Sequence, residues 1–283
     1  MLPATGTTAI SSASGFVNPA TLCVRPGEGM HHQTQTSPRL RAPSTSPGAR
    51  YLPIKIEPAT RTYARDIENT RSLWGAAGLF LRFPTPRILA SKIVAFVFIN
   101  LWLANYSWGD LFIVAGVALY WPFQEWFLHC FLLHFKPRRV ALFLIDPYAA
   151  RMHRYHHRNP WLLETTFLPF QFILVLIPLH IGLWWALMPT LAHAATGILF
   201  FTIATLIYEW VHYLTHTPYK PRSRYFREVC RNHRLHHFKN ERYWHSFTSP
   251  AVDRLFGTCP SPDTTPNSPT CRTLGYDYDK VGD

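Results

Sequence analysis

Ten histidines fall into four short groups whose spacings suit metal ligation. His129 and His134 stand in "HCFLLH", and His153, His156 and His157 in "HRYHH". His212 and His216 stand in "HYLTH", and His233, His236 and His237 in "HRLHH". On an α-helix, side chains at i, i+3 and i+4 share a face, so each HxxHH group can present three imidazoles together. His212 and His216 are likewise one turn apart. Five residues, however, leave His129 and His134 about 140° apart around a regular helix. That pair requires a distorted helix, or it serves two different ions. Arg151, Arg154 and Arg158 crowd the second group, so its neutral imidazole nitrogens are read as ligands of a cation and not as further surface charge.

Ten neutral nitrogens exceed the needs of one tetrahedral or octahedral ion and suit two. Imidazole accepts iron, zinc, copper or nickel, so ligand type alone does not choose the metal. Two carboxylates stand at helical spacing from ligand positions: Glu125, four residues before His129, and Glu209, three before His212. Both are expected to orient ligand histidines from behind, a role that would also give an intramembrane carboxylate its partner. No further catalytic residue is expected. His180 and His193 are read as hydrogen-bonding side chains within the membrane, and His245, in "YWHSFTSP", as polar and not as an auxiliary ligand. His31 and His32 need no role.

The elements that must position these groups are apolar and long. Phe167 to Met188 and Thr190 to Tyr208 carry no Asp, Glu, Lys or Arg, and each approaches the ~20 residues needed to cross about 30 Å of hydrocarbon. Leu111 to His129 is broken only by Glu125, and Arg87 to Trp108 has one intruding charge at Lys92. None of the 28 Lys and Arg residues lies between Ile93 and Phe135 or between Asn159 and Tyr219. The short connections "NYSWGD" and "MPT" are therefore free of them, whereas the other polar segments are rich in them. This asymmetry predicts two transmembrane hairpins, with both termini and the histidine segments cytoplasmic. Counted from the outer face at 1.5 Å per residue, His129 lies about 27 Å deep and His212 about 33 Å, so the groups share one interfacial layer. The expected fold is all-α: four membrane helices with a cytoplasmic, histidine-rich helical cap. Each hairpin ends in Glu-Trp and spaced histidines, followed by an HxxHH element, which suggests paired halves.

Residues 1–60, rich in Pro, Ser and Thr, read as a disordered tail. Residues 61–86 form an amphipathic approach, 87–258 the membrane-embedded domain, and 259–283 a polar, loosely ordered C-terminal tail. The net charge of +12 is expected to face anionic lipid headgroups, and no nucleic-acid partner is expected, since charge alone does not select one. Five cysteines without a CxxC pair give no disulfide framework.

The four histidine groups, in this order and at these spacings, resemble the signature of the fatty acid hydroxylase/sterol desaturase superfamily. "FTSPAVDRLFGT", Phe247 to Thr258, is similar to that family's closing segment. The resemblance runs from about Leu111 to Thr258. It implies an integral-membrane oxidoreductase that uses O2 and two irons to oxidise a lipid C–H bond, with the ten histidines as ligands. Zinc could occupy the same nitrogens in a purified sample. Members often carry a small residue where this chain has His245. The N-terminal segment shows no haem-binding cytochrome b5 module of the kind fused to some members, so electrons are expected from a separate ferredoxin or cytochrome b5-type donor. Hydroxylation of a fatty acyl, sphingolipid or sterol-like lipid is the leading reading, and desaturation by the same site is its neighbour. A membrane metal transporter is the alternative from another class, but transporter sites generally lie near mid-bilayer. Nothing in the sequence fixes the oligomeric state, the lipid or the carbon.

Overall fold

A computed structural model describes residues 67–276, Leu142 excepted; the expected N-terminal tail, residues 1–60, lies outside the described residues. The architecture is helical. Helix α1 (Leu73–Phe80) precedes α2 (Pro84–Leu103) and α3 (Trp108–Phe127), which runs on into a π-helical turn at Leu128–Leu133. A two-stranded antiparallel hairpin follows, β1 (Arg138–Val140) with β2 (Phe143–Ile145), then α4 (Tyr148–Arg158) and a 3-10 turn at Leu163–Thr166. Helices α5 (Phe170–Leu187), α6 (Leu191–Thr215), α7 (Arg224–Phe238) and α8 (Pro250–Leu255) complete it.

Among the described residues, four helical stretches are long and apolar enough to cross a membrane: Pro84–Leu103, Trp108–Leu133, Leu163–Leu187 and Leu191–Thr215. The first starts three residues before the expected Arg87 and ends at Leu103. Pro84 and Pro86 fit the first helical turn, where no amide partner is needed, and Ala104 closes the helix in the left-handed region at φ 43°. Ser107 and Asp110 then form a capping box that starts α3, with Ser107 N donating to Asp110 Oδ2 at 2.8 Å. Thr190 caps α6 and Ser223 caps α7 in the same manner, each accepting from the amide three residues on.

Helix α6 is the axis. Its most apolar stretch is 44% buried, against 11–17% in the other three, and it packs on α2, α3 and α5. The outer faces of α2, α3 and α5 expose Phe98, Trp102, Phe112, Leu119, Leu179 and Trp185, an apolar belt that suits lipid and not water. Several polar groups within this layer are paired across helices. Lys92 Nζ meets His180 Nδ1 at 2.8 Å, and Trp184 Nε1 donates to His180 Nε2 at 3.0 Å. His193 Nε2 meets Ser107 Oγ at 2.8 Å, while Thr196 reaches Asp110 and Asn100. The hydrogen-bonding roles expected of His180 and His193 are thus met, and Lys92 stands against α5 at His180. The amphipathic approach also has a place. Ala76, Leu79 and Phe80 of α1, with Phe83, pack on Leu163, Phe167, Tyr213 and Leu214, seating α1 at the histidine-bearing end of α6.

One close approach decides the α5–α6 spacing. A Cβ at Gly197 would sit 2.2 Å from the Trp184 ring, whereas one at Gly182 would meet nothing within 4 Å. Gly197→Ala is therefore expected to cost about 1–3 kcal/mol through overpacking, while Gly182→Ala should be neutral or stabilising by up to about 1 kcal/mol. Thermal midpoints of the two variants in detergent, followed by size exclusion, should move in opposite directions from wild type or differ by several degrees.

Candidate metal centre

The ten predicted histidines converge, and they do so as two groups of five. His129, His134, His153, His157 and His236 form one, and His156, His212, His216, His233 and His237 form the other. Within each group, one nitrogen from every residue lies within 4.8 Å of the rest. The groups abut: the His157 and His237 rings, one from each, stack at 4.2 Å.

The His129–His134 pair resolves as a helix distortion. The last turn of α3 widens so that His134 N donates to His129 O, five residues back, at 3.2 Å. An i→i+5 turn brings both imidazoles to one side, the usual way such turns occur at functional sites. The HxxHH motifs behave differently from the expectation that each triplet serves together. In α4, the i, i+4 pair His153 and His157 enters the first group and His156 crosses into the second. In α7, His233 and His237 enter the second group and His236 crosses into the first. Residues at i+3 and i+4 flank a helical face by about 100°, and two cavities side by side divide them. Each group is thus built from a pair at a membrane-helix end, a pair from one capping helix and a single residue from the other.

Backbone carbonyls fix the ring orientations. His129 Nδ1 donates to His245 O (2.5 Å), His157 Nδ1 to Cys271 O (2.8 Å) and His236 Nδ1 to Tyr243 O (2.7 Å). A carbonyl only accepts, so each of these rings carries its proton on Nδ1 and turns the Nε2 lone pair inward. His156 is held likewise: Thr165 donates its hydroxyl proton to Leu162 O and accepts from His156 Nδ1 at 3.2 Å. Inside the groups, Nε2 atoms face one another: His129 and His157 each stand 3.1 Å from His153 Nε2, and His212 and His237 at 3.2 and 3.1 Å from His156 Nε2. The Nε2 atoms of His134 and His236 are buried without a hydrogen-bond partner among the described residues. More lone pairs converge here than protons are available to join them, which is the donor set of a cation site, and imidazole nitrogen suits iron or zinc.

The two carboxylates do not perform the orienting role expected of them. Glu125 accepts from Phe247 N (2.5 Å), Thr248 N (2.8 Å) and Thr248 Oγ1 (2.7 Å), and Glu209 accepts from Leu168 N (3.1 Å). Both anchor returning backbone. The reason is geometric: each carboxylate lies on the membrane side of its histidines, where the nearest unpaired donors are the amides of incoming loops. Glu125 thereby holds Phe247, a fully buried ring that packs on His129, His212 and His233 at 4.5–4.9 Å and roofs both groups. Arg154, between the histidines of α4, turns away from them to pair with Asp146 (2.6 Å) and to donate to Phe135 O (2.8 Å), just past the π turn. That is how a basic side chain tolerates this neighbourhood.

The expected loosely ordered C-terminal tail is, over residues 259–276, a packed strap. Ser268 N donates to Lys239 O, Asn240 Nδ2 to Pro266 O and Thr270 Oγ1 to Glu241. Leu274 is buried, and Cys271 O is the acceptor that orients His157. Polar composition suggests a solvated segment, but here the polar atoms pair with α7 and the loop after it. Cys271 and Tyr243 were not legible as site residues because they act through backbone carbonyls, which carry no side-chain signal. Phe247 lay in the recognised closing segment, yet only packing reveals its place over the rings.

Burial and the charges of neighbouring imidazoles hold His153, His156, His216, His233, His236 and His237 well below the ordinary histidine range, and burial holds His157 down to about 4. These groups are therefore neutral and ready to ligate near neutral pH. Between pH 6.5 and about 4 the unfolded chain binds more protons than the folded one, so stability rises with pH across that window and is lost on acidification. The metal-free protein is expected to show a thermal midpoint that falls steadily from pH 7 to 4.5. A flat profile would contradict the burial described. A chain ended after Pro260 should insert normally but, lacking the Cys271 carbonyl, release bound iron or zinc to a chelator about 10-fold faster or more, measured as metal retained per purified chain.

A sequence model of the family described as fatty acid hydroxylase matches residues 114–258, just over half of the chain. The chain is 31% identical over 155 residues to the dihydroceramide fatty acyl 2-hydroxylase FAH2 of Arabidopsis thaliana, covering 52% of this chain and 60% of that one. It is 27% identical over 143 residues to the fatty acid 2-hydroxylase of Mus musculus, covering 50% of this chain and 37% of that one. The match thus spans less than two thirds of either relative. The solved structure of full-length scs7p, in which only the hydroxylase domain is visible, shares the fold at a TM-score of 0.54 and 24% identity, over 65% of this chain and 68% of that one. With all four histidine groups inside or at the edge of one buried centre, and the family match running from α3 to the start of the strap, the chain belongs to the fatty acid hydroxylase family.

Proposed function

We propose that this protein is a membrane oxidoreductase that inserts one oxygen atom into a C–H bond of a fatty acyl chain, at or near carbon 2 of a ceramide-type lipid. The observation that carries this reading is the pair of five-histidine groups, buried together at the ends of apolar spans. The relatives named above are 2-hydroxylases of acyl chains, which supports the substrate class. A carbon beside the acyl carbonyl lies near the headgroup layer, the depth at which the spans end. The Lys and Arg asymmetry supports a cytoplasmic side for that layer and for both termini.

The ten histidines would hold two irons. Bound iron supplies oxygen activation: O2, two electrons from a separate donor protein and two protons convert R–H to R–OH and water. The chain's own residues supply the rest. Backbone carbonyls of Tyr243, His245 and Cys271 keep three rings in the ligating tautomer. Phe247, held by Glu125, excludes water from the membrane side of the centre and gives an acyl chain an apolar wall. The 3-10 turn and strap close the opposite sides.

His156→Ala and His236→Ala each remove the one ligand that crosses between capping helices, and both should reduce product by at least about 100-fold while leaving membrane insertion unchanged. The measurement is mass spectrometry of total cell lipids under labelled oxygen gas, where wild type should yield a product heavier by one labelled oxygen. Loss of two hydrogens instead would convert the reading to desaturation, and unimpaired turnover in both variants would sink the metal role.

A further inference from the structure

The two histidine groups are not equivalent, and the difference is His245. Its ring is more than nine-tenths buried and stands edge-on to three members of the first group, with centroids 5.3 Å from His129, 5.4 Å from His134 and 5.2 Å from His236. Neighbouring rings within the five stand as far as 5.3 Å apart, as His134 and His157 do, so His245 sits at the rim of the same cluster. Its tautomer is fixed. Nε2 lies 3.0 Å from the carbonyl of Arg242, which can only accept, so Nε2 carries the proton and Nδ1 carries the lone pair. That Nδ1 is buried and has no hydrogen-bond partner among the described residues, an arrangement that costs free energy unless something electropositive faces it. His129, His157 and His236 show the mirrored pattern, Nδ1 on a carbonyl and Nε2 inward. Among the described residues no extra imidazole takes this place around the second group, where Phe247 packs on His212 and His233 as it does on His129 of the first.

The backbone of His245 is held as firmly as its ring. Its amide and that of Ser246 donate to Asp253 at 3.0 and 2.8 Å, while its carbonyl orients His129. His245 and His134 also share the wall of a cavity of about 220 Å3 lined by Leu274 of the strap.

We propose that His245 Nδ1 is a sixth nitrogen donor to the metal held by His129, His134, His153, His157 and His236, making that site six-coordinate in nitrogen while its neighbour keeps five. This rests on the paired-metal reading above. Six imidazoles fill an octahedral ion, so the position left open for an exogenous ligand belongs to the second site, beside Phe247.

The test uses the full-length chain in detergent, loaded with isotopically enriched iron and read by Mössbauer spectroscopy and by iron release to a chelator. Wild type should give two distinct iron components of equal area. His245→Gln keeps an N–H where Nε2 donates to Arg242 but places no donor at Nδ1. It should shift one component only and release that iron about 10- to 100-fold faster. His245→Asn, whose amide oxygen stands where Nδ1 stood, should recover much of the retention. Two identical wild-type components, or His245→Gln with unchanged spectrum and release, would overturn the sixth-donor assignment alone. A wild-type chain that takes up no pair of irons would overturn the paired-metal reading, and this inference with it.

Discussion

Burying ten neutral imidazoles together is the constraint on which the rest of this structure depends. A lone pair directed into a dry interior is costly unless a donor or a cation answers it. Here the rings are turned so that the answer cannot come from the protein: carbonyls at Tyr243, His245 and Cys271 take up the Nδ1 protons and leave Nε2 facing Nε2. The centre is therefore shaped for positive charge before any arrives. The surrounding basic residues illustrate the same rule, since Arg154 is turned outward to Asp146 and a carbonyl and away from the rings.

The exchange of one histidine between α4 and α7 gives the two groups a shared frame. Neither capping helix can shift without moving histidines in both groups, because His156 and His236 cross in opposite directions. The membrane helices contribute the other pairs, one from a π turn and one from the regular end of α6. The halves therefore match in ligand count but not in backbone. His245 and Phe247 extend that inequality to the surroundings of the two groups, two residues apart on one loop whose backbone Glu125 and Asp253 secure.

Polar groups in the spanning layer obey the same accounting of donors and acceptors. Lys92 with His180, and Asp110 with Thr196, join different helices. In surroundings where water is scarce such pairs hold the spans in one arrangement, and Gly197 leaves room on α6 for the Trp184 ring of α5.

The sequence by itself determined the spans, the ten histidines and their gathering at the helix ends, because hydropathy, helical rise and i, i+4 spacing are local properties. It also showed that His129 and His134 could not share a face of a regular helix. Only the tertiary structure decided that the helix widens there, that each HxxHH motif is divided between two groups, and that Glu125 and Glu209 hold backbone and not imidazole. It alone revealed the strap and the carbonyl of Cys271, 114 positions from the ring it orients. The physical reason is the same in each case. A ligand's spacing is written in its own segment, but its tautomer and its partner are set by carbonyls and amides brought from distant segments, and a main-chain group carries no mark in the sequence of what it will face.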